Sequence, residues 1–213
     1  MTTVYVYALN QLADWETGYV LSELHSGRFF KKDAPSVSIK TVTSTNEAIT
    51  TMGGMIVQPN CAMREVVASK QNLLILPGAD SWDSPQHHPI IERAQEFVIQ
   101  GGTVAAICGA TVALSHSGLL NDRLHTSNGP GFLEMVSPAY QGKNFYVDEP
   151  SVSEKNIITA SSTGALLWAK QILARLDVFD EKVLESWYAY FGTGEPHYYF
   201  ALMNSLENPG MKE

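Results

Sequence analysis

At 213 residues, 45% hydrophobic and 17% charged, the chain is long enough to bury one full α/β core. A net charge of −8 without any Lys/Arg run argues against nucleic acid and anionic membrane surfaces as partners. Two cysteines, Cys61 and Cys108, exclude a disulfide framework, and no apolar run approaches a membrane span. With no basic, then apolar leader ahead of the first strand, a soluble protein of the cytosol is expected.

Val4–Ala8 reads as a central parallel strand. A polar loop, Asn10–Asp14, leads into a helix over Trp15–Ser26, where Trp15, Tyr19, Leu21 and Leu24 recur at helical spacing. Ser36–Thr43 alternates and reads as the second strand. Gly53–Pro59 reads as a turn and a short strand, the arm of a hairpin, and Met63–Ser69 as a short helix. Leu73–Leu76 is an unbroken apolar strand ending in Pro77-Gly78-Ala79-Asp80. Pro89 suits a first helical position, and Ile90, Ile91, Ala94, Phe97 and Val98 follow on one helix, which Gly101-Gly102 closes.

Thr103–Ile107 is a buried strand, Cys108 follows, and Gly109–Leu114 starts a helix of small residues. Ala106-Ile107-Cys108-Gly109-Ala110 is a small-x-Cys-x-small window, the thiol version of a serine nucleophile elbow. A sharp strand-to-helix turn puts Cys108 in an outlier backbone conformation and its sulfur at a helix N-terminus. That position is expected to depress its pKa, and not that of Cys61, which reads as structural. The alternative is an inert cysteine at a strand end.

Leu119–Asn128 and a Gly/Pro loop come next, then a short helix around Phe132–Ser137, short strands at Asn144–Val147 and Val152, and another over Asn156–Thr159. Ser161–Gly164 opens a helix over Ala165–Leu176, and two more fit Asp180–Phe191 and His197–Leu206. The aromatics of these last helices suit either a subunit interface or a cap on their own core. Strands alternating with helices predict a mostly parallel sheet covered on both faces, in one domain over 1–213 whose residues 178–213 form a helical extension. Among metal candidates, His87-His88 with Asp80 and Asp83 is weak, because adjacent side chains diverge. Neither G-x-G-x-x-G nor a P-loop occurs, so no metal and no cofactor is expected.

Three segments in order, Leu73–Ala79 (LLILPGA), Ala105–Leu114 (AAICGATVAL) and Tyr146–Gly164 (YVDEPSVSEKNIITASSTG), carry a resemblance. From Val4 to about Leu176 the chain resembles the ThiJ/PfpI family of the class I glutamine-amidotransferase-like superfamily. The resemblance implies a flavodoxin-like three-layer α/β/α sandwich with Cys108 at the C-terminal edge of a central strand. It also implies a carboxylic acid beside the cysteine, from the loop after the first strand: Glu16 is the better positional match and Asp14 the runner-up. Backbone N–H groups of Gly78, Ala79 and Gly109 are then placed to form an oxyanion hole. Protease-like members carry a histidine directly after the cysteine, where this chain has Gly109. Glu195-Pro196-His197 reverses the amidotransferase His-x-Glu order and lies beyond the matched part. His125 remains as candidate base, with His116 on the elbow helix facing away.

These readings imply an enzyme that uses Cys108 on a small carbonyl or amide compound. The family's activities include amidase or protease, glyoxalase-like and deglycase-like reactions. The competing expectations are an oxidative-stress sensor, with a Cys108 sulfinic acid held by Glu16, and a holding chaperone. Since relatives usually form dimers, the resemblance also implies a homodimer.

Overall fold

The computed structural model describes residues 1–207. In chain order, β1 (Thr2–Tyr7), α1 (Asp14–Ser26) and β2 (Val37–Val42) form the first βαβ unit, followed by the hairpin of β3 (Ile49–Thr50) and β4 (Ile56–Val57). Next come β5 (Leu73–Leu76), α2 (His88–Ile99), β6 (Thr103–Ile107), α3 (Gly109–His116) and α4 (Phe132–Val136). The antiparallel pair β7 (Ser151–Glu154) and β8 (Ile157–Ala160) leads to α5 (Ala165–Arg175), α6 (Glu181–Thr193) and α7 (Pro196–Glu207). Among the described residues six strands make one sheet in the order β2-β1-β5-β6-β8-β7, parallel except for β7 at its edge.

Unbroken apolar strands arise because both faces of the sheet are covered. Successive side chains alternate between faces: Tyr5, Tyr7, Leu74, Leu76, Val104 and Ala106 pack with Ile90, Phe97 and Leu114 of α2 and α3. Val4, Val6, Leu73, Ile75, Ala105 and Ile107 pack with Val20 and Leu24 of α1 and Trp168 and Ile172 of α5. This is the expected three-layer α/β/α arrangement. The register Val4↔Leu73 and Leu73↔Thr103 ends β1, β5 and β6 along one edge of the sheet. The chain runs outward from β1 to β2, then returns to place β5 on the other side of β1. Ligands of open α/β sheets bind at such a reversal.

Trp187 of α6 is fully buried, and its Nε1–H donates to Glu23 Oε1 at 3.0 Å. Buried Glu23 also accepts both forks of the Arg28 guanidinium. The C-terminal aromatics therefore divide: Trp187 closes the core over α1 and α5, while Phe191, Tyr199 and Phe200 stay exposed. Residues 208–213 of the expected helical extension lie outside the described residues.

Two local expectations fail. Only Met63–Glu65 of the helix expected over Met63–Ser69 winds, as one 3-10 turn. The strand expected over Asn144–Val147 is a 3-10 turn at Lys143–Phe145, after which Tyr146 bridges to His125 instead of joining the sheet.

Two glycines with opposite surroundings test the packing. A Cβ at Gly18, inside α1, meets nothing within 4 Å, whereas one at Gly164 would lie 1.9 Å from the Pro150 carbonyl oxygen. Gly18→Ala is expected to stabilise by about 0.5–1 kcal/mol through helix propensity and to raise Tm by roughly 1–4 °C. Gly164→Ala is expected to lower Tm by more than that gain, because backbone must move; thermal melts of the two variants check both signs.

Candidate active site

Cys108 joins β6 to α3 with φ 56° and ψ −124°, a region that side-chain-bearing residues rarely enter. The outlier expected of an elbow is present. Its N–H donates to the Ala160 carbonyl of β8 at 3.0 Å, which ties the turn to the neighbouring strand. Glycines flank the sulfur for steric reasons: a Cβ at Gly109 would sit 2.4 Å from the Ala79 carbonyl oxygen. One at Gly78 would sit 2.7 Å from Cys108 Cβ and 2.6 Å from Glu16 Oε1.

Glu16, in the first turn of α1, is fully buried. Its Oε2 accepts the Gly78 N–H at 2.6 Å, the Cys108 thiol lies against the carboxyl, and Oε1 has no hydrogen-bond partner among the described residues. Burial raises its pKa from 4.5 to about 6, against the opposing pull of the Gly78 N–H and the thiol. Asp14 turns elsewhere: its Oδ2 accepts the Gly53 N–H at 2.6 Å and holds the β3–β4 hairpin. A Thr51 hydrogen bond and that N–H keep the Asp14 carboxyl below the usual carboxylate range. Of the two acids, Glu16 is the one beside the sulfur.

The expected depression of the Cys108 pKa does not hold. Burial pushes this thiol up, and the Glu16 charge adds to the rise, while Asn128 and the Gly109 N–H pull the other way. Loss of water outweighs the first N–H groups of α3. Cys61 is also raised, by burial and then by Glu65, so the two thiols differ in their partners and not in the direction of shift.

Asn128 is the neighbour that sequence reading missed. Its Nδ2–H donates to Cys108 Sγ at 3.4 Å. Only the short polar run Thr126-Ser127-Asn128, in a loop after the elbow helix, marks it in the sequence.

A family model for DJ-1/PfpI matches residues 2–175. The chain belongs to the DJ-1/PfpI family. It is 43% identical to the uncharacterized protease YoaZ of Bacillus subtilis, over 95% of this chain and 97% of that protein. The crystal structure of a ThiJ/PfpI family protein from Bacillus anthracis is 44% identical and has a TM-score of 0.93, covering 96% of this chain and 97% of that one. A DJ-1 superfamily protein from Agrobacterium tumefaciens is 26% identical with a TM-score of 0.79, covering 92% and 100%.

Within this DJ-1/PfpI scaffold the histidine expected as base is committed to other partners. His125 is fully buried. Its Nδ1–H donates to the Arg123 carbonyl at 2.8 Å, which leaves Nε2 to accept from the Tyr140 hydroxyl at 2.6 Å. Burial also lowers its pKa, so it stays neutral with no ring nitrogen left for the sulfur. His116 points toward the Val136 carbonyl of α4, and His197 pairs with its own neighbour Glu195 on the exposed start of α7. The oxyanion expectation needs one correction: the Gly78 N–H is taken by Glu16, whereas the Ala79 N–H has no partner among the described residues. His87 is bound to the Tyr7 hydroxyl at 2.7 Å. Among the described residues no group of three or more His, Cys, Asp or Glu side chains is placed to hold a metal ion.

The raised pKa of Glu16 makes folding favour its protonated form. The associated stability is present below about pH 4.5 and is lost as pH rises through about 6. Glu16→Gln stays neutral at every pH and can keep the Gly78 bond. It should match the wild type in stability near pH 4.5 and exceed it by up to about 2 kcal/mol above pH 7, at 1.36 kcal/mol per pKa unit. Urea denaturation across this range gives the difference directly; a constant difference would mean that Glu16 is not the buried acid described.

Proposed function

We propose that the protein is an enzyme in which Cys108 attacks a small carbonyl or amide compound, with Glu16 as its proton partner. The observation that carries this reading is the fully buried Glu16 carboxyl held against the Cys108 thiol at a strained strand-to-helix turn. Transfer of the thiol proton to the Glu16 carboxylate yields a thiolate beside a neutral acid. The thiolate forms the S–C bond, the carbonyl π electrons move onto oxygen, and that oxygen takes the proton back from Glu16. The N–H groups of Ala79 and Gly109 are the donors for the charge that develops there. With an aldehyde the product is a hemithioacetal. With an amide the same adduct must instead expel an amine that takes up a proton, and water must then cleave the thioester.

The peptide-hydrolysing version is disfavoured by Gly109 and by the commitment of His125, since among the described residues neither position offers an imidazole to activate that water. The same lack favours a second reading, in which Cys108 is an oxidant sensor. Two equivalents of peroxide would each transfer one oxygen to the sulfur and leave as water, giving a sulfinate beside Glu16.

A screen of aldehydes, amides and peptides with wild type, Cys108→Ser and Glu16→Ala separates these readings. The enzyme reading expects turnover that Cys108→Ser abolishes and Glu16→Ala lowers by roughly a hundredfold. Turnover that survives Cys108→Ser would overturn it. No turnover of any class, together with a stable gain of two oxygens on Cys108 at peroxide doses that spare Cys61, would establish the sensor.

A further inference from the structure

We infer that Asn128 is a catalytic residue of this site: its carboxamide donates to the Cys108 thiolate and, being unable to take up a proton, confines proton transfer at the sulfur to Glu16. The inference rests on the reading of Cys108 as the nucleophile and assigns stabilisation of its thiolate to a third side chain.

Chemistry fixes the direction of the amide. Asn128 Oδ1 accepts the Ser162 N–H at 2.9 Å, and an amide nitrogen could not. The nitrogen end must therefore face the sulfur, where it lies at 3.4 Å. Flipping the group would set N–H against N–H on one side and oxygen against thiolate on the other.

The segment carrying Asn128 is pinned at three successive residues. The Thr126 N–H donates to Thr159 Oγ1 of β8 at 2.9 Å. Thr111 Oγ1 gives its proton to the Cys108 carbonyl at 2.6 Å, so the Ser127 hydroxyl must donate to Thr111, also at 2.6 Å. Asn128 then bridges the elbow to the loop ahead of α5. Asn128 is thus positioned by bonds to three separate elements before any substrate arrives.

This placement answers a shortage at the sulfur. The Gly78 N–H, next to the thiol, is consumed by Glu16. The Gly109 N–H and the Asn128 amide are the donors that favour the charged sulfur, and both oppose the effect of burial. Neither can accept a proton. A donor that cannot accept stabilises the thiolate without competing for its proton, which leaves Glu16 as the acceptor in contact with the thiol. The arrangement suits addition to a carbonyl, where one proton travels from sulfur to carboxyl to the new hydroxyl. It gives no second acceptor for activating water.

The test reads the sulfur and needs no substrate. Alkylation of Cys108 by iodoacetamide is followed against pH in a Cys61→Ser background, for Asn128, Asn128→Ala and Asn128→Asp. Loss of one charge-assisted bond at an exposed side chain should lower the rate at pH 7 by about three- to tenfold in Asn128→Ala. Asn128→Asp keeps an acceptor for Ser162 but sets a carboxylate against the sulfur, so its drop should be larger. Both curves should converge with the parent at high pH, where every form is thiolate. A loosened loop would instead speed alkylation at all pH values, and thermal melts of each variant identify any that fail to fold. An unchanged pH profile in Asn128→Ala overturns the inference while leaving the nucleophile reading intact. Turnover that survives Cys108→Ser overturns the nucleophile reading whatever the alkylation curves show.

Discussion

The site depends on a crowded point at Gly78, where the Glu16 carboxyl, the Cys108 side chain and the backbone leaving β5 meet with no room for a further carbon. Three loops reach this point because β1, β5 and β6 are adjacent, parallel and in register, so they end along the same edge of the sheet. The close approach then dictates local details. Gly78 gives its N–H to Glu16, Gly109 leaves space for the Ala79 carbonyl, and Cys108 takes the strained backbone that carries its sulfur between them. Such strain persists only when the surroundings over-determine it, and here the apolar layers on both faces of the sheet do so.

Charge at the site follows from the same crowding. A carboxyl and a thiol withdrawn from water both resist ionisation, and each resists it more when the other is ionised. One proton therefore belongs to the pair instead of to either group. The helix N-terminus at Cys108 supplies only partial charges, which burial exceeds, and the remaining support comes from discrete donors. The glycine after the cysteine follows from the same packing. A Cβ at Gly109 would lie 2.4 Å from the Ala79 carbonyl oxygen, so a side chain there would force the elbow to shift.

Away from the site, the C-terminal helices are held by a polar anchor in an apolar layer. Glu23 lies buried in α1, and the Arg28 guanidinium and the Trp187 indole N–H satisfy it. Burying that carboxylate is tolerable because its oxygens are bonded to charged or polar donors. The indole brings α6 against the helix whose first turn carries Glu16. The scaffold behind Glu16 therefore includes residues well outside the matched family segment, which ends at residue 175.

The sequence by itself determined the layered architecture and the elbow, because both are written in local pattern. Unbroken apolar strands such as Leu73–Leu76 can be satisfied only by a sheet covered on both faces, and a cysteine between small residues at a strand-to-helix boundary marks the sharp turn. The choice of Glu16 over Asp14 drew on the resemblance to known proteins, and the three-dimensional structure gave its reason: Asp14 is claimed by the Gly53 N–H, from a hairpin far along the chain. What only the tertiary structure decided were the partners of groups whose neighbours come from distant segments. The Arg123 carbonyl and the Tyr140 hydroxyl hold both nitrogens of His125, which leaves it unavailable as a base. The Gly78 N–H is committed to Glu16, which lies 62 residues away in the chain. Asn128 is marked in the sequence only by a short polar run, because its partners are Cys108 on one side and Ser162 on the other. The thiol pKa went against the helix-terminus argument for the same reason: burial is a property of the assembled fold, and no single segment carries it.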